Sequence, residues 1–370
     1  MSSLPSPDFN ALTQSFRFEN TFLDAGPYGN GHIHATYAAR FIKPDGSIQR
    51  YIFQRINHHV FRDPPAVIEN MRKVTHHLSQ KILDSGGDPQ RETLTLVETV
   101  DGGFYYQDEA GETWRAMLFI EGAQTYQSVR HPAHYTNAAR AFGRFQKLLA
   151  DFPVQELTLT IPDFHYTPKR LAAFQTAIER DACGRVAEVG PEIEFILSRT
   201  ADTHILVDMQ NAGRLPERVT HNDTKMDNVM IDDLSGEGIC VIDLDTVMPG
   251  LAPLDFGDTV RSAASTAVED EPDLTQVHFD LSIFERLAKG YLAEARGFLC
   301  KDEIDHLAFA SRLITFEQGI RFLADYLNGD IYYRIHRPLH NLERARTQLR
   351  LAQEMEECYG QMQAIINKYR

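Results

Sequence analysis

The residues best suited to chemistry lie in one short segment after position 220. A His-x-Asp-x4-Asn pattern places His221 two residues before Asp223 and seven before Asn228. Asp243 follows at the end of an apolar run. A carboxylate can orient a hydroxyl nucleophile and accept its proton, whereas amide and carboxylate oxygens are ligands that Mg²⁺ prefers. The pattern therefore predicts phosphoryl transfer from ATP, with Asp223 as catalytic base and with Asn228 and Asp243 as Mg²⁺ ligands.

The same residues could instead belong to an ordinary polar loop that contains a structural histidine. The flanking segments favour the catalytic interpretation, because the apolar runs 229–231 and 239–242 predict a hairpin. The open end of that hairpin would bring Asn228 and Asp243 side by side. We expect His221 to hydrogen-bond within the loop and not to act as the base.

A second motif, Asp-Phe-Gly at 255–257, has the letters of the protein-kinase metal motif. No strand is predicted directly before it, so we give the metal role to Asp243. Instead, Asp255 or Asp258 is expected to hydrogen-bond the catalytic loop from the start of a helix. Asp245 stays open between a supporting group and a ligand of a second metal ion.

Glycines in the first third of the chain indicate where a nucleotide could bind. Gly29 and Gly31 lie between two predicted strands, and backbone amides in such a loop can approach phosphates closely. Arg55, on the strand predicted at 48–56, could contact the α- and β-phosphates, while Glu69 on the following helix holds it in place. The alternatives are an ordinary turn, a surface arginine and a solvated glutamate.

A connector at 117–122 joins the two halves of the predicted fold. An apolar strand end is followed there by Glu121 and a glycine. We expect adenine to hydrogen-bond the backbone in this connector, at Phe119 and Glu121. The prediction depends on position along the chain, since an apolar strand end before glycine is common.

Periodicity predicts the elements that must position these groups. The fold class is α+β, with a small β-rich N-lobe at 1–121 and a larger, mainly helical C-lobe at 122–370. Asp63 is the expected N-cap of the N-lobe helix. The predicted N-lobe strands are 16–24, 34–42, 48–56, 93–100 and 113–120. In the C-lobe we expect helices at 132–150, 168–181 and 188–212, a strand-rich island at 219–244, and helices from 274 onwards.

The composition is that of an acidic globular protein. Its 37 Lys and Arg residues against 52 Asp and Glu residues give a formal charge of −15. This charge disfavours non-specific nucleic-acid binding, which needs basic surface. The four cysteines are far apart, which predicts neither a CxxC metal site nor a dense disulfide framework. We find no signal-peptide pattern and no run of membrane-span length, so we expect a cytoplasmic protein with no membrane partner.

Several segments resemble the aminoglycoside phosphotransferase and choline kinase-like superfamily, and more narrowly the N-acetylhexosamine 1-kinases. The resemblance runs from residue 29 to residue 348. In the second lobe it is carried by THNDTKMDNVMI and VIDLDT, and elsewhere by GNGHIHATY, YIFQRINHHVF, WRAMLFIEG, VIDLDTVMPG, DFGDTVR, and IRFLADYLNGDIYYRIHRP with HNLERARTQ.

That resemblance implies a protein-kinase-like two-lobed fold. It also implies transfer of the ATP γ-phosphoryl group to the anomeric hydroxyl of an N-acetylhexosamine, so the expected partner is a small-molecule acceptor, a sugar. At the matching positions it again implies Asp223 as base, with Asn228 and Asp243 for Mg²⁺. It further implies three sugar contacts, at Thr246, Arg321 and Tyr332. From the residues alone, Arg321 and Tyr332 could equally cap helices or pack.

Two other functions stay open at this point. A kinase of the same fold could act on another small hydroxyl compound, such as an amino alcohol, a ketosamine or an aminoglycoside. A non-catalytic nucleotide-binding protein is the second alternative, but it would be expected to lack Asp223, Asn228 or Asp243, and all three are present. A protein substrate is disfavoured because no A-P-E segment follows Asp243. The oligomeric state is left open.

Overall fold

The N-lobe is built on one antiparallel sheet. The computed structural model describes residues 7–29, 33–126 and 131–370. A short helix, α1 (Phe9–Ser15), precedes five strands in the order β1-β2-β3-β5-β4. The strands are β1 (Thr21–Pro27), β2 (Ala35–Ile42), β3 (Ile48–Arg55), β4 (Tyr106–Gln107) and β5 (Thr113–Leu118).

The two faces of this sheet have different neighbours, because side chains alternate along a strand. On the outer face, Phe53 and Ala116 pack with Leu12 of α1. On the inner face, Ile52 and Met117 pack against helix α2 (Pro64–Asp84). The inner face is therefore the one that looks towards the rest of the protein.

Helix α2 begins as the sequence predicts. The Asp63 side chain accepts a hydrogen bond from the Ala66 amide, and two prolines occupy the first turn. Its apolar stripe includes Met71, Val74 and Leu78, all buried against the inner face and the C-lobe. A one-turn helix, α3 (Pro89–Glu92), follows.

The C-lobe is mainly helical, with short strands that frame the catalytic segment. Strand β7 pairs with β10, and β6, β8 and β9 form a small sheet. The strands are β6 (Ala123–Gln124), β7 (Arg218–Thr220), β8 (Val229–Asp232), β9 (Gly238–Val241) and β10 (Met248–Gly250). The helices are α4 (Ala133–Leu148), α5 (Thr167–Arg180), α6 (Gly190–Leu197), α7 (Ile205–Asn211), α8 (Ala252–Ala263), α9 (Leu281–Ala295), α10 (Lys301–Asp305), α11 (Leu307–Leu327), α12 (His340–Glu357) and α13 (Tyr359–Tyr369).

The predicted two-lobed α+β fold is confirmed, with differences at three segments. Residues 93–100 form isolated bridges instead of a strand, since Leu96 pairs with β5 while Thr99 pairs with Phe16. The first strand starts at Thr21, later than predicted, because residues 16–18 run beside this irregular segment. The lobe boundary at 121/122 remains a prediction.

The predicted helix at 188–212 is two helices, α6 and α7. Side chains at the end of α6 bind its last carbonyls: the Thr200 hydroxyl donates to the Leu197 carbonyl, and Arg199 donates to the Phe195 carbonyl. These bonds satisfy groups that a continuing helix would have used, so the helix stops there. No helix in the described ranges combines the length and apolarity that a bilayer crossing requires.

Candidate active site

The predicted hairpin that carries Asn228 and Asp243 is formed by β8 and β9. Val229 pairs with Val241, and the Ile242 amide donates to the Asn228 carbonyl over 2.9 Å. Asn228 and Asp243 therefore flank the open end of one hairpin. The paired residues of this hairpin are only about a dozen positions apart in the chain. This short separation explains why the hairpin could be predicted from the sequence.

The catalytic loop follows β7 and is held by the first turns of α8. The Asp255 carboxylate accepts hydrogen bonds from the amides of His221 and Asn222, each at 2.8 Å. The Asp258 carboxylate accepts from the Thr224 amide at 2.9 Å. The expectation that these aspartates hold the loop from a helix start is confirmed for both residues.

His221 is fully engaged within the loop. Its Nδ1 accepts a hydrogen bond from the Asp223 amide at 3.3 Å, and its Nε2 donates to the Ile242 carbonyl at 2.8 Å. A ring that accepts at one nitrogen and donates at the other is neutral, with no nitrogen left to take a proton from a substrate. The structure thus agrees with a scaffolding role for His221.

Asp223 lies beside a cation that the sequence interpretation missed. The Lys225 Nζ is 2.9 Å from one Asp223 carboxylate oxygen and 3.2 Å from the other. Burial lowers the pKa of Lys225, but the charge of Asp223 outweighs that effect and raises it overall, so the lysine stays protonated. The only signal in the sequence was the spacing of two positions between the carboxylate and the lysine.

Asn228 points its amide nitrogen at the same loop. Its Nδ2 donates to the Asp223 carbonyl at 2.8 Å. No described residue donates a hydrogen bond to the side-chain oxygen of Asn228. That oxygen is therefore available to a cation, as the sequence predicted for this position.

The surroundings of Asp243 and Asp245 shift the pKa values of the two carboxyl groups in opposite directions. Desolvation, and then the negative charges of Asp245 and Asp223, raise the pKa of Asp243 to about 7, although its carboxylate is open to the cleft. In the part of the chain that the structure describes, no cationic side chain pairs with Asp243. A cation bound there would relieve the repulsion between these carboxylates, so the residues present fit a divalent metal ion.

Both oxygens of Asp245 are already occupied. The Arg115 guanidinium donates to them over 2.6 and 2.7 Å, and the His34 Nε2 lies 3.2 Å from Oδ2. Burial alone would raise the pKa of Asp245, but Arg115 and His34 hold it well below its usual range. The geometry favours a supporting role for Asp245 and leaves Asp243 as the carboxylate that faces the cleft.

The structure does not bring Arg55 and Glu69 together. Arg55 pairs in register with Trp114 on the outer face of the sheet, and its guanidinium lies 5.8 Å from that ring. Glu69 is bound by Arg72 of its own helix, at 2.7 and 2.8 Å. The inner-face cation is Arg115, and the register of β3 with β5 identifies it. Side chains alternate between the two faces along β3, and this alternation excludes Arg55 from the inner face.

The remaining nucleotide predictions fall on the glycine loop and the connector. Gly29 has a positive φ of 77°, and Gly31 lies outside the described residues. The Phe119 amide donates to the Arg50 carbonyl, and the Arg50 guanidinium lies 3.6 Å from the Phe119 ring centroid. The Glu121 carbonyl accepts from Arg91. These two backbone groups are thus engaged by protein, and any adenine contact must use others in the connector.

The three predicted acceptor contacts lie in two places. The Thr246 hydroxyl donates to the His221 carbonyl at 2.6 Å, inside the catalytic loop. Arg321, on α11, donates to the Gln318 side chain at 2.9 Å and has no acidic partner among the described residues. Tyr332 lies beside Arg321 and is 70% exposed.

Solved structures match this chain over almost its full length. An aminoglycoside phosphotransferase from Alicyclobacillus acidocaldarius has a TM-score of 0.62 at 12% identity, covering 99% of this chain and 98% of that one. An amicoumacin kinase in complex with AMP-PNP, Ca²⁺ and Ami has a TM-score of 0.54 at 15% identity, covering 94% and 92%. A choline kinase from Cryptosporidium parvum has a TM-score of 0.53 at 13% identity, covering 93% and 92%. At these identities the likeness shows a shared fold.

A family profile identifies the family of this chain, which structural likeness at such low identity does not. The profile of the phosphotransferase enzyme family, APH, matches residues 26–298, which is more than half of the chain. The matched range contains the glycine loop, the catalytic loop and the Asp243 hairpin. This chain therefore belongs to the APH phosphotransferase family, as an enzyme that transfers phosphate to hydroxyl acceptors.

Proposed function

We propose that this phosphotransferase is an ATP- and Mg²⁺-dependent kinase that phosphorylates the anomeric hydroxyl of an N-acetylhexosamine. The observation that carries the kinase part is the arrangement around Asp223. The Asp223 carboxylate, paired with Lys225, lies on a rigid loop with Asn228 and Asp243, whose side-chain oxygens pair with no cation of the described residues. A base and a metal site in this proximity are what phosphoryl transfer to a hydroxyl requires.

In this proposal Asn228 and Asp243 hold the metal ion, and the glycine loop lies over the nucleotide. The amicoumacin kinase of the same fold binds AMP-PNP and Ca²⁺. When bound, a divalent cation neutralises charge on the phosphate oxygens. Gly29 and Gly31 remain proposed nucleotide contacts, and Phe119 and Glu121 would contribute through groups other than the engaged Phe119 amide and Glu121 carbonyl. Arg55, on the outer face, and Glu69, bound by Arg72, are left out of the proposed nucleotide site.

The base in this proposal is Asp223. It orients the acceptor hydroxyl and takes its proton as the oxygen attacks phosphorus. Lys225 keeps a positive charge next to that carboxylate. A cation at this position also opposes the negative charge of an incoming phosphoryl group.

A neutral acceptor is supported by the charges near the loop. A pocket for choline or an aminoglycoside would be expected to offer unpaired carboxylates. Instead, Asp258 is paired with Arg261 at 2.8 Å and Glu317 with His165 at 3.0 Å. Arg321 is a cation without an ionic partner among the described residues, whereas the unpaired carboxylate of Asp243 is assigned to the metal ion.

An arginine and an exposed tyrosine suit a sugar. The Arg321 guanidinium can donate to hydroxyl or acetamide oxygens, which are acceptors. The Tyr332 ring is exposed beside it and can pack against the apolar C–H face of a pyranose. Thr246, at the catalytic loop, would contribute a hydroxyl on the other side of the acceptor.

The proposal is tested with a panel of acceptors under Mg²⁺ and ATP. ADP release would be followed with GlcNAc, GalNAc, glucose, galactose, choline, a fructosamine and an aminoglycoside, with Asp223→Asn as control. Turnover selective for the N-acetylhexosamines, with a sugar 1-phosphate as product, would support it. Turnover with choline or the aminoglycoside alone would keep the kinase chemistry and discard the sugar.

A further inference from the structure

A largely buried histidine joins the acceptor side of the C-lobe to the catalytic loop. The His165 Nδ1 lies 3.0 Å from the Glu317 carboxylate of α11, and its Nε2 lies 3.1 Å from the carbonyl of Asn222. Asn222 directly precedes Asp223 in the chain. The Glu317 side chain is 1% exposed. The ring therefore spans two elements that the proposed mechanism did not connect.

The hydrogen bonds define the charge of this ring. A carbonyl oxygen can only accept, so Nε2 must donate to Asn222. The second oxygen of Glu317 accepts from the Thr167 hydroxyl at 2.6 Å, as an ionised carboxylate does. With a carboxylate facing Nδ1, that nitrogen donates as well, and a ring that donates at both nitrogens is an imidazolium.

Surrounding charges agree with an imidazolium–carboxylate pair. Burial would lower the pKa of His165, but the hydrogen bond and charge of Glu317 outweigh it, and the pKa is raised. Burial would raise the pKa of Glu317, but His165 and then Arg321 hold it below its usual range. The other charged groups that act on the ring are Arg321 on α11, which opposes protonation, and Asp258 on α8, which favours it.

The pair binds a carbonyl of the catalytic loop that α8 does not bind. The amides of His221 and Asn222 are held by Asp255, whereas the Asn222 carbonyl is held by His165. Asn222 has a positive φ of 65°, a conformation that costs energy for a residue with a side chain. Anchoring both of its peptide groups keeps that conformation, and with it the direction of Asp223.

The pair also decides what Arg321 is free to do. Glu317 and Arg321 are four residues apart on α11, a spacing at which opposite charges pair on a helix. His165 and Thr167 bind the Glu317 carboxylate instead, and the Arg321 guanidinium donates to the neutral side chain of Gln318. Without the histidine, the carboxylate would be left unpaired next to the guanidinium.

We propose that the His165–Glu317 ion pair is a positioning device for catalysis. It holds the Asn222 carbonyl, and so Asp223, and it keeps Glu317 from capturing Arg321, which stays open to the acceptor. The second part rests on the proposed acceptor role of Arg321. The first part rests only on the family's phosphoryl transfer.

The test combines kinetics of three variants with nuclear magnetic resonance of the ring. His165→Gln should lower kcat and raise the acceptor KM, each by about tenfold or more, with the ATP KM nearly unchanged. The double variant with Glu317→Gln removes the unpaired carboxylate, so the acceptor KM should return to within about threefold of wild type. A residue with a merely structural role would lower the active fraction and leave KM unchanged. His278→Gln, which removes a surface histidine–glutamate pair, is the matched control.

The protonation state is read without any substrate. Imidazole ¹⁵N shifts of wild type near neutral pH, assigned with His165→Gln, should show both nitrogens protonated. A neutral ring, or a wild-type acceptor KM in His165→Gln, would overturn the proposal. If no N-acetylhexosamine in the acceptor panel is phosphorylated, the sugar assignment is wrong. The ring spectrum, together with kcat measured on any active acceptor, still tests the role of the His165–Glu317 pair. Should His165→Gln not fold, the ring resonances are assigned with Glu317→Gln instead, and a neutral ring in wild type would overturn the proposal.

Discussion

Arg115, on the sheet of the N-lobe, forms a two-bond ion pair with Asp245, two residues beyond Asp243 in the C-lobe. The bonds are 2.6 and 2.7 Å long, and each side chain is 2% exposed. The Gln54 side-chain oxygen accepts two further bonds from the same guanidinium. A fork that reaches across the two lobes fixes where the Asp243 loop lies relative to the sheet.

We predict that Arg115→Met destabilises the protein by about 3–5 kcal/mol, because it leaves Asp245 buried without its main counter-charge. Urea unfolding measures the change. Arg55→Met is the control, because Arg55 is next to Gln54, the register partner of Arg115, but lies on the outer face. Its free energy of unfolding should stay within about 1 kcal/mol of that of wild type. Equal losses of stability in Arg115→Met and Arg55→Met would contradict a particular stabilising role for the buried Arg115–Asp245 pair.

The glycine of the Asp-Phe-Gly motif has a packing role. A Cβ on Gly257 would lie 2.7 Å from the Ala310 carbonyl of α11, so α8 and α11 touch there through backbone. Gly257→Ala should cost about 1–3 kcal/mol because neither backbone can move away easily. Gly360→Ala, where a Cβ meets no neighbour within 4 Å, is the matched variant and should lose no stability. An unchanged melting temperature in Gly257→Ala would contradict the close contact.

Asp243→Asn should raise the Mg²⁺ concentration needed for half-maximal rate by about tenfold or more, since even supporting groups of metal sites cost that much. The reason is that Asp243 is the carboxylate of this loop without a protein cation. Rates measured across a Mg²⁺ titration test it. Asp233→Asn, in the turn at the far end of the same hairpin, should keep the wild-type requirement. A wild-type Mg²⁺ dependence in Asp243→Asn would remove this residue from the metal site.

Stability should depend on pH through His165 and Glu317. The raised pKa of His165 means that its contribution is full below the ordinary value of 6.5 and is lost as pH rises through the folded-state value. The lowered pKa of Glu317 means that its contribution is lost as pH falls through the folded-state value, below 4.5. The stability advantage of wild type over His165→Gln should therefore shrink towards alkaline pH. Unfolding at a series of pH values measures this, and a constant difference would exclude an ionised His165.

Sequence alone predicted the parts of the site that depend on short separations. The β8–β9 hairpin and the contacts of Asp255 and Asp258 with the catalytic loop were predictable, because strand periodicity and a helix start are local signals. It missed the ion pairs Arg115–Asp245 and His165–Glu317, whose partners are 130 and 152 residues apart. Those pairs depend on strand register and helix packing, which no local pattern encodes.

The choice of Arg55 shows the same limit within a single strand. At the end of β3, a shift of one position decides which side chain faces the cleft. Both faces of the strand carry a polar residue at this end. Composition could not separate Arg55 from Gln54. The pairing with β5 does so, because Gln54 and Arg115 are register partners that bond on the inner face.

The most direct test of the account is the rate of acceptor phosphorylation by Asp223→Asn. Formation of the phosphorylated acceptor would be followed by ³¹P nuclear magnetic resonance with wild type and variant, alongside calorimetry of Mg²⁺–ATP binding. We predict a rate lower by about 10²–10⁴-fold with nucleotide binding largely retained, because the base acts on the acceptor. Turnover close to that of wild type would contradict the assignment of Asp223 as the base.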